Sequence, residues 1–102
     1  MKVTIVTHPQ QQVSFKENAR AYEVESGCFT VLAELLNAST HRIDGVRAYV
    51  VLKGALADLI AIEEVMIGSL HPEERRPLKV HISPSGREVS LVQLYLTHEL
   101  TQ

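Results

Sequence analysis

The chain is short of the residues on which much protein chemistry depends. Its 102 residues include one cysteine, Cys28, and no tryptophan. A single thiol excludes an intrachain disulfide, which fits a reducing compartment. We therefore expect a cytoplasmic protein whose fold depends on a buried apolar core.

No apolar stretch is long enough to cross a bilayer. The longest one, 55–70, is shorter than the roughly 20 residues of a membrane helix, and Asp58, Glu63 and Glu64 interrupt it. The apolar content of 45% and the net charge of −2 are ordinary for a folded domain. The sequence predicts a single globular domain, 1–102, with no membrane span.

Several motif classes are also missing. The five glycines never form a G-x-G loop, and the five histidines show no metal-ligand spacing. The ten basic residues are scattered along the chain instead of forming a basic cluster, which argues against a nucleic-acid partner. We predict no catalytic residue, no metal site and no cofactor, so the sequence favours a non-enzymatic protein without excluding an enzyme.

Alternating apolar residues predict strands over 2–7, 13–15, 19–25, 46–53 and 78–83. The segment 88–97 fits a strand or a helix, and we favour the strand. The first two strands are expected to form a hairpin around residues 8–10. A second hairpin is expected through the turn at 84–87, because that register places Val89 and Leu91 on the same face as Ile82.

Helical spacing of apolar residues predicts two helices, over 28–38 and 55–70. In the first, Leu32, Leu35 and Leu36 share a face, although the preceding residues also suit a strand. The second consists mostly of good helix formers. The predicted fold is therefore α+β, with a mainly antiparallel sheet of about five strands, two helices on one face, and the order β-β-α-β-α-β-β.

Three apolar surfaces exceed what one small core needs, one of them on the predicted strand that begins at Val46. The predicted helix 55–70 is apolar almost all round, and the last predicted strand is apolar on both faces. Such surfaces are typical of interfaces. The residues assigned to this predicted interface are Leu59, Ile62, Met66, Val92, Leu94 and Leu96. We therefore expect a small protein-interaction or regulatory module that forms a homodimer or binds another protein.

A second hypothesis is a small-molecule-binding protein or a minor enzyme with a pocket between sheet and helices. Lys79 and His81 face the same way on a predicted strand, and imidazole titrates near neutral pH. Together with Arg47 and Tyr95, they supply the polar groups of this predicted pocket.

A further pattern involves apolar and turn residues in the first four-fifths of the chain. They are Val3 to Thr7, Pro9, Phe29, Val31, Leu32, Gly45, Val46, and Ile60 to Ile62. This pattern resembles the N-terminal β-sandwich of the rotary ATP synthase epsilon subunit. The resemblance implies strands, instead of helices, over 28–38 and 55–70.

Overall fold

The computed structural model describes residues 3–8, 12–16, 19–25 and 28–99, with backbone only for residues 24 and 25. Over these ranges the chain forms eight β-strands and no helix. They are β1 (Thr4–His8), β2 (Val13–Phe15), β3 (Arg20–Glu25), β4 (Cys28–Asn37), β5 (Ile43–Lys53), β6 (Leu59–Leu70), β7 (Arg75–Ile82) and β8 (Leu91–Thr97). Within the described residues, no helix is long and apolar enough to cross a membrane.

The strands form two sheets. Sheet A has the order β1-β8-β5-β6, in which β1 and β8 run parallel and the other neighbours antiparallel. In sheet B, β4 is central. One edge of β4 pairs with β7. The other edge pairs with β3 along the first half of β4 and with β2 along its last three residues. All pairs in sheet B are antiparallel.

The two sheets pack face to face around one apolar core, as in a β-sandwich. Alternate residues of each central strand point inward, because successive side chains of a strand lie on opposite faces. The core includes Val31 and Leu35 from β4, Leu78, Val80 and Ile82 from β7, Val50 and Leu52 from β5, and Val92, Leu94 and Leu96 from β8. The other residues of each strand lie on the outer faces of the two sheets, where some side chains are exposed and others, including Thr30 and Val51, are buried.

The predicted α+β fold is wrong, because both predicted helices are strands. The segment 28–38 contains β4, which pairs along both edges and is partly covered on its outer face. Its inner residues Phe29 and Leu35 are buried, and the outward Leu32 and Leu36 are half-buried. Because apolar residues occur on both faces of β4, their spacing along the sequence matched that of a helix. The hydrogen bonds and packing on both edges of the strand outweigh the local helix propensity.

The segment 55–70 contains a turn followed by β6. This strand pairs antiparallel with β5 from Leu59 to Leu70. Its β-branched residues Ile60, Ile62, Val65 and Ile67 suit a strand better than a helix. Here too, apolar side chains occur on both faces, which produced the apparent helical pattern.

The strands predicted over the other segments are present, but the two predicted hairpins are not. β1 belongs to sheet A and β2 to sheet B, and likewise β7 belongs to sheet B and β8 to sheet A. Residues 83–90 cross between the sheets, and Val89 is buried in the core on the way. Alternation predicted each strand, but it could not specify which strands pair.

Candidate functional site

The outer face of sheet A carries most of the exposed apolar side chains. Cross-strand pairing places Val6, Gln93, Val51 and Ile62 in one row, and His8, Tyr95, Tyr49 and Glu64 in the next. Two further pairs of β5 and β6 extend the same surface. Leu59 pairs with Lys53 at one end, and Met66 pairs with Arg47 at the other. We call these residues together the apolar face.

Exposure distinguishes this surface from the rest of the described chain, where six large apolar side chains are exposed. Four of these lie on the apolar face: Val6 (37%), Leu59 (53%), Ile62 (56%) and Met66 (64%). The other two are Tyr22, on β3, and Leu56, in the turn before β6. Clustering on one sheet face is typical of a surface that binds a partner.

The polar groups of the apolar face are few and nearly balanced in charge. His8 and Tyr95 stack in parallel with ring centroids 4.2 Å apart. The Arg47 guanidinium lies 4.0 Å from the Glu64 carboxylate. His8 Nε2 and Gln93 Oε1 are buried without a hydrogen-bond partner among the described residues. The face therefore offers apolar and aromatic contact area with little net charge.

The predicted interface residues divide into two groups. Leu59, Ile62 and Met66 lie on the apolar face, as exposed side chains of β6. Val92, Leu94 and Leu96 instead point inward from β8 and are buried in the core of this chain. The intervening residues of β8, including Gln93 and Tyr95, are the ones that reach the apolar face.

The four predicted ligand-binding residues do not converge. Arg47 and Tyr95 lie on the outer face of sheet A, whereas Lys79 and His81 lie on the outer face of sheet B. The core of the sandwich separates the two pairs. The predicted pocket between sheet and helices does not exist in the described part of the chain, because it contains no helix.

His81 has a defined neighbour in sheet B. Its Nδ1 lies 2.9 Å from Oγ1 of Thr30, which is buried beside it. Register places Tyr22, Thr30 and His81 in one row, and Arg20, Leu32 and Lys79 in the next. No pattern in the sequence indicated Arg20, Tyr22 and Thr30. They are distant along the chain, and only the pairing of β3, β4 and β7 brings them close to Lys79 and His81.

A cleft of about 620 Å³ opens at one end of the sandwich. Its polar lining comes from Glu23 on β3 and from Arg87 and Glu88 in the connection between β7 and β8, and Val3 and Phe29 contribute apolar surface. Arg87 also forms an ion pair with Asp58. None of the four predicted ligand-binding residues lines this cleft.

Metal and thiol chemistry receive no support from the described residues. In that part of the chain, no group of three or more His, Cys, Asp or Glu side chains could hold a metal ion. Cys28 is half-buried as the first residue of β4. A helix N-terminus at Cys28, where the predicted helix 28–38 begins, would favour the reactive thiolate, but Cys28 begins a strand instead.

Among the described residues, two carboxyl groups have lowered pKa values, and neither lies on the apolar face. The hydroxyl of Ser69 donates to Asp44 and lowers the pKa of that carboxyl, with help from Arg42. The backbone N–H of His71 and the guanidinium of Arg76 lower the pKa of Glu74. The Asp44 hydrogen bond joins β5 to β6, and the Glu74 hydrogen bonds join the turn before β7 to β7 itself, so both carboxyl groups hold local structure together.

Comparison with family models, curated proteins and solved structures finds no match to this chain. The strands over 28–37 and 59–70 agree with what the resemblance to the epsilon subunit implies. A two-sheet architecture is shared by many unrelated functions, so this agreement does not assign the chain to that family.

Proposed function

We propose that this chain is a non-enzymatic protein-interaction or regulatory module that forms a homodimer through the apolar face. The observation that carries the proposal is the grouping of Val6, Leu59, Ile62 and Met66 as exposed side chains on one sheet face. Apolar surface of this kind is stabilised when another surface removes it from water.

Charge balance favours a second copy as the occupant. The apolar face carries Arg47 and Glu64 close together, with Lys53 at its border. A strongly charged partner of either sign gains little from such a surface. A second copy related by a two-fold axis brings the same apolar residues and the same opposite charges, and it can therefore be complementary to this one.

The geometry of β6 also fits a symmetric contact. β5 pairs with one side of β6, and no strand of the described chain pairs with the other side. Arg76 donates to the carbonyl oxygens of Ile67 and Ser69, at 3.0 and 3.1 Å, and so covers one end of this edge. The remaining edge borders the apolar face, which allows one contact to include both.

The size of the face sets the expected affinity. Four strands about 4.8 Å apart and about six residues of shared length give a face of roughly 20 by 20 Å. Stable dimers usually bury about 800 Å² on each partner. The contact is therefore at the small end of the range, and we expect reversible association with a Kd of roughly 10 to 100 μM.

Sedimentation velocity over a concentration series tests the proposal. The wild-type chain should shift towards the dimer as its concentration rises, and Ile62→Lys should weaken association at least about tenfold, because it places a charge in an apolar contact. Leu56→Lys is the matched control, since Leu56 is 91% exposed and lies off the face. A monomer at all concentrations, or equal effects of the two variants, would contradict the proposal.

The cleft at the end of the sandwich supports a second candidate function, small-molecule binding. Its volume of about 620 Å³ lies in the range of ligand pockets, and Glu23, Arg87 and Glu88 supply polar groups. A fragment screen by amide-shift mapping tests it. Hits whose shifts concentrate at Val3, Phe29 and Val89 would support a ligand site, and an absence of such hits would contradict it.

The cytoplasmic location stays a prediction, based on the single cysteine of the sequence.

A further inference from the structure

The outer face of sheet B differs in charge from the apolar face. Arg75 and Lys79 point outward from β7, and Arg20 points outward from β3 across the central strand. In the strands of sheet B whose side chains are described, Glu34 is the one carboxylate at an outward position. We call Arg20, Arg75 and Lys79 with the strand positions between them the cationic face.

No ion pair in the described part of the chain includes a cation of this face. The four ion pairs found there join Arg42 to Asp44, Arg47 to Glu64, Arg76 to Glu74 and Arg87 to Asp58. Arg20, Arg75 and Lys79 take part in none of them, and all three are exposed. The face therefore presents a local positive charge on a chain whose net charge is −2.

A shallow hollow of about 290 Å³ lies between two of these cations. Its lining consists of residues 32–34 of β4 and 77–79 of β7, so the Glu34 carboxylate belongs to the lining opposite Pro77, and Arg75 lies one row beyond the hollow. Pro77 is midway between Arg75 and Lys79 on β7, and all three point to the same side because their positions alternate along the strand. Along the outer face of β7, the apolar Pro77 therefore lies between the cations Arg75 and Lys79.

We propose that the cationic face binds an extended acidic peptide segment with the pattern carboxylate-x-apolar-x-carboxylate. Arg75 and Lys79 are four residues apart, about 13 Å along a strand, and an extended peptide has the same spacing between positions i and i+4. The side chain at i+2 enters the hollow beside Leu32 and Pro77. Glu34 repels a carboxylate at that middle position, so an apolar residue is selected there.

The same observations disfavour nucleic acid on this face. Tyr22 is the one exposed tyrosine or phenylalanine of the described sheet B, with the His81 ring in the same row, whereas single-stranded nucleic acid is usually bound by several stacking aromatics and an electropositive groove. Glu34 also opposes a phosphate backbone along the hollow. An acidic peptide with an apolar middle residue can pair with the cations and fill the apolar hollow at the same time.

The test uses amide-shift titrations of the full-length chain with short synthetic probes. The main probe contains Glu-Ser-Leu-Ser-Glu between Gly-Ser flanks, and the comparison peptides replace both Glu with Lys or the Leu with Glu. The main probe should shift amides of β4 and β7 and bind at least about fivefold more tightly than either comparison peptide, with affinity falling as salt is raised.

Charge reversal tests the site itself. Lys79→Glu should weaken binding of the main probe about fivefold or more, because it replaces an attraction by a repulsion. Arg42→Glu makes the same charge change on an exposed side chain off this face and should leave affinity within about twofold. The amide spectra report directly that both variants are folded.

Three outcomes would overturn the inference. If Lys79→Glu and Arg42→Glu weakened binding of the main probe equally, the effect would come from the net charge of the chain and not from this face. Shifts outside β4 and β7 would place the peptide elsewhere. Binding of an oligothymidylate as tight as that of the main probe would assign the face to nucleic acid. Because these residues are separate from the apolar face, failure here leaves the proposed dimer standing, and failure of the dimer leaves this site standing.

Discussion

The side-chain amide of Asn37 donates a hydrogen bond to the backbone carbonyl of Leu70, at a distance of 3.1 Å. The bond joins the end of β4 in sheet B to the end of β6 in sheet A. The same amide nitrogen lies 3.0 Å from the carbonyl of His41 and 3.1 Å from that of His71, and Ser39 donates to Asn37 Oδ1 through its N–H and its hydroxyl. Asn37 is fully buried, so these bonds replace contacts with water.

Replacement of Asn37 by alanine should therefore destabilise the fold strongly. Asn37→Ala leaves buried carbonyl groups without their donor, and we expect a loss of about 2 to 4 kcal/mol in the free energy of unfolding. Ser39→Ala removes one hydroxyl, which contacts Asn37 Oδ1 and the backbone of His41, and should cost about 1 kcal/mol, because Asn37 keeps its own hydrogen bonds to the backbone carbonyls. Urea denaturation measures both, and similar costs for the two variants would contradict this role of Asn37.

Gln93 should behave in the opposite way. Its Oε1 is buried on the outer side of β8 and has no hydrogen-bond partner among the described residues. Gln93→Met removes that polar atom and keeps a side chain of similar shape. We expect the free energy of unfolding to stay the same or to rise by as much as about 1 kcal/mol. A loss above about 1 kcal/mol in chemical denaturation would reveal an interaction that this account lacks.

Glu74 should make stability depend on pH in the acid range. Hydrogen bonds from the His71 N–H and Arg76 lower the pKa of its carboxyl in the folded chain. The unfolded chain therefore binds the proton more tightly. The stabilisation is present above the ordinary carboxyl range and is lost as the pH falls through the lowered pKa.

The corresponding variant is Glu74→Gln. It should unfold at lower urea concentration than the wild type near pH 7, and the difference should shrink below about pH 4. Glu73→Gln is the matched control, because Glu73 is an exposed neighbour in the same turn. Two results would contradict this role of Glu74. One is a difference in unfolding between Glu74→Gln and the wild type that stays constant from pH 7 to pH 3, and the other is an equal difference for Glu73→Gln.

Gly45 should resist substitution because of its backbone and its surroundings. Its φ is +64°, which side chains disfavour, and a Cβ there would meet the Cγ of Glu99 at 2.4 Å. Gly86 has a similar φ of +77° but open space around it. Thermal unfolding should show that Gly45→Ala is destabilised by about 1 to 2 kcal/mol and at least as much as Gly86→Ala. A smaller cost for Gly45→Ala than for Gly86→Ala would contradict the close approach.

Local sequence patterns predicted most strands but not their arrangement. The alternation of Leu78, Val80 and Ile82 identified β7, and the run around Val50 identified β5. The same reasoning failed for β4 and β6, because strands with apolar residues on both faces show no clean period of two. Hairpin formation was also mispredicted, since the choice of partner strand depends on the packing of the two sheets.

The residues of the candidate site were also predicted only in part. Ile62 and Met66 were expected at an interface for their apolar excess, and they are exposed on β6 although the helix invoked for them does not exist. Leu94 was expected at the interface for the same reason and is buried in the core. Hydrophobicity alone could not assign these residues to the inside or the outside, because that depends on which face of each strand the other sheet covers.

The apolar face can be tested most directly by recording amide spectra of the wild-type chain during dilution from about 1 mM to about 5 μM, a range that brackets the expected Kd. The account predicts concentration-dependent shifts grouped at the amides of Val6, Ile62, Met66 and Gln93, with those of Leu32 and Lys79 in sheet B unchanged. Spectra that do not change over this range, or shifts grouped in sheet B, would contradict a homodimer formed through the apolar face.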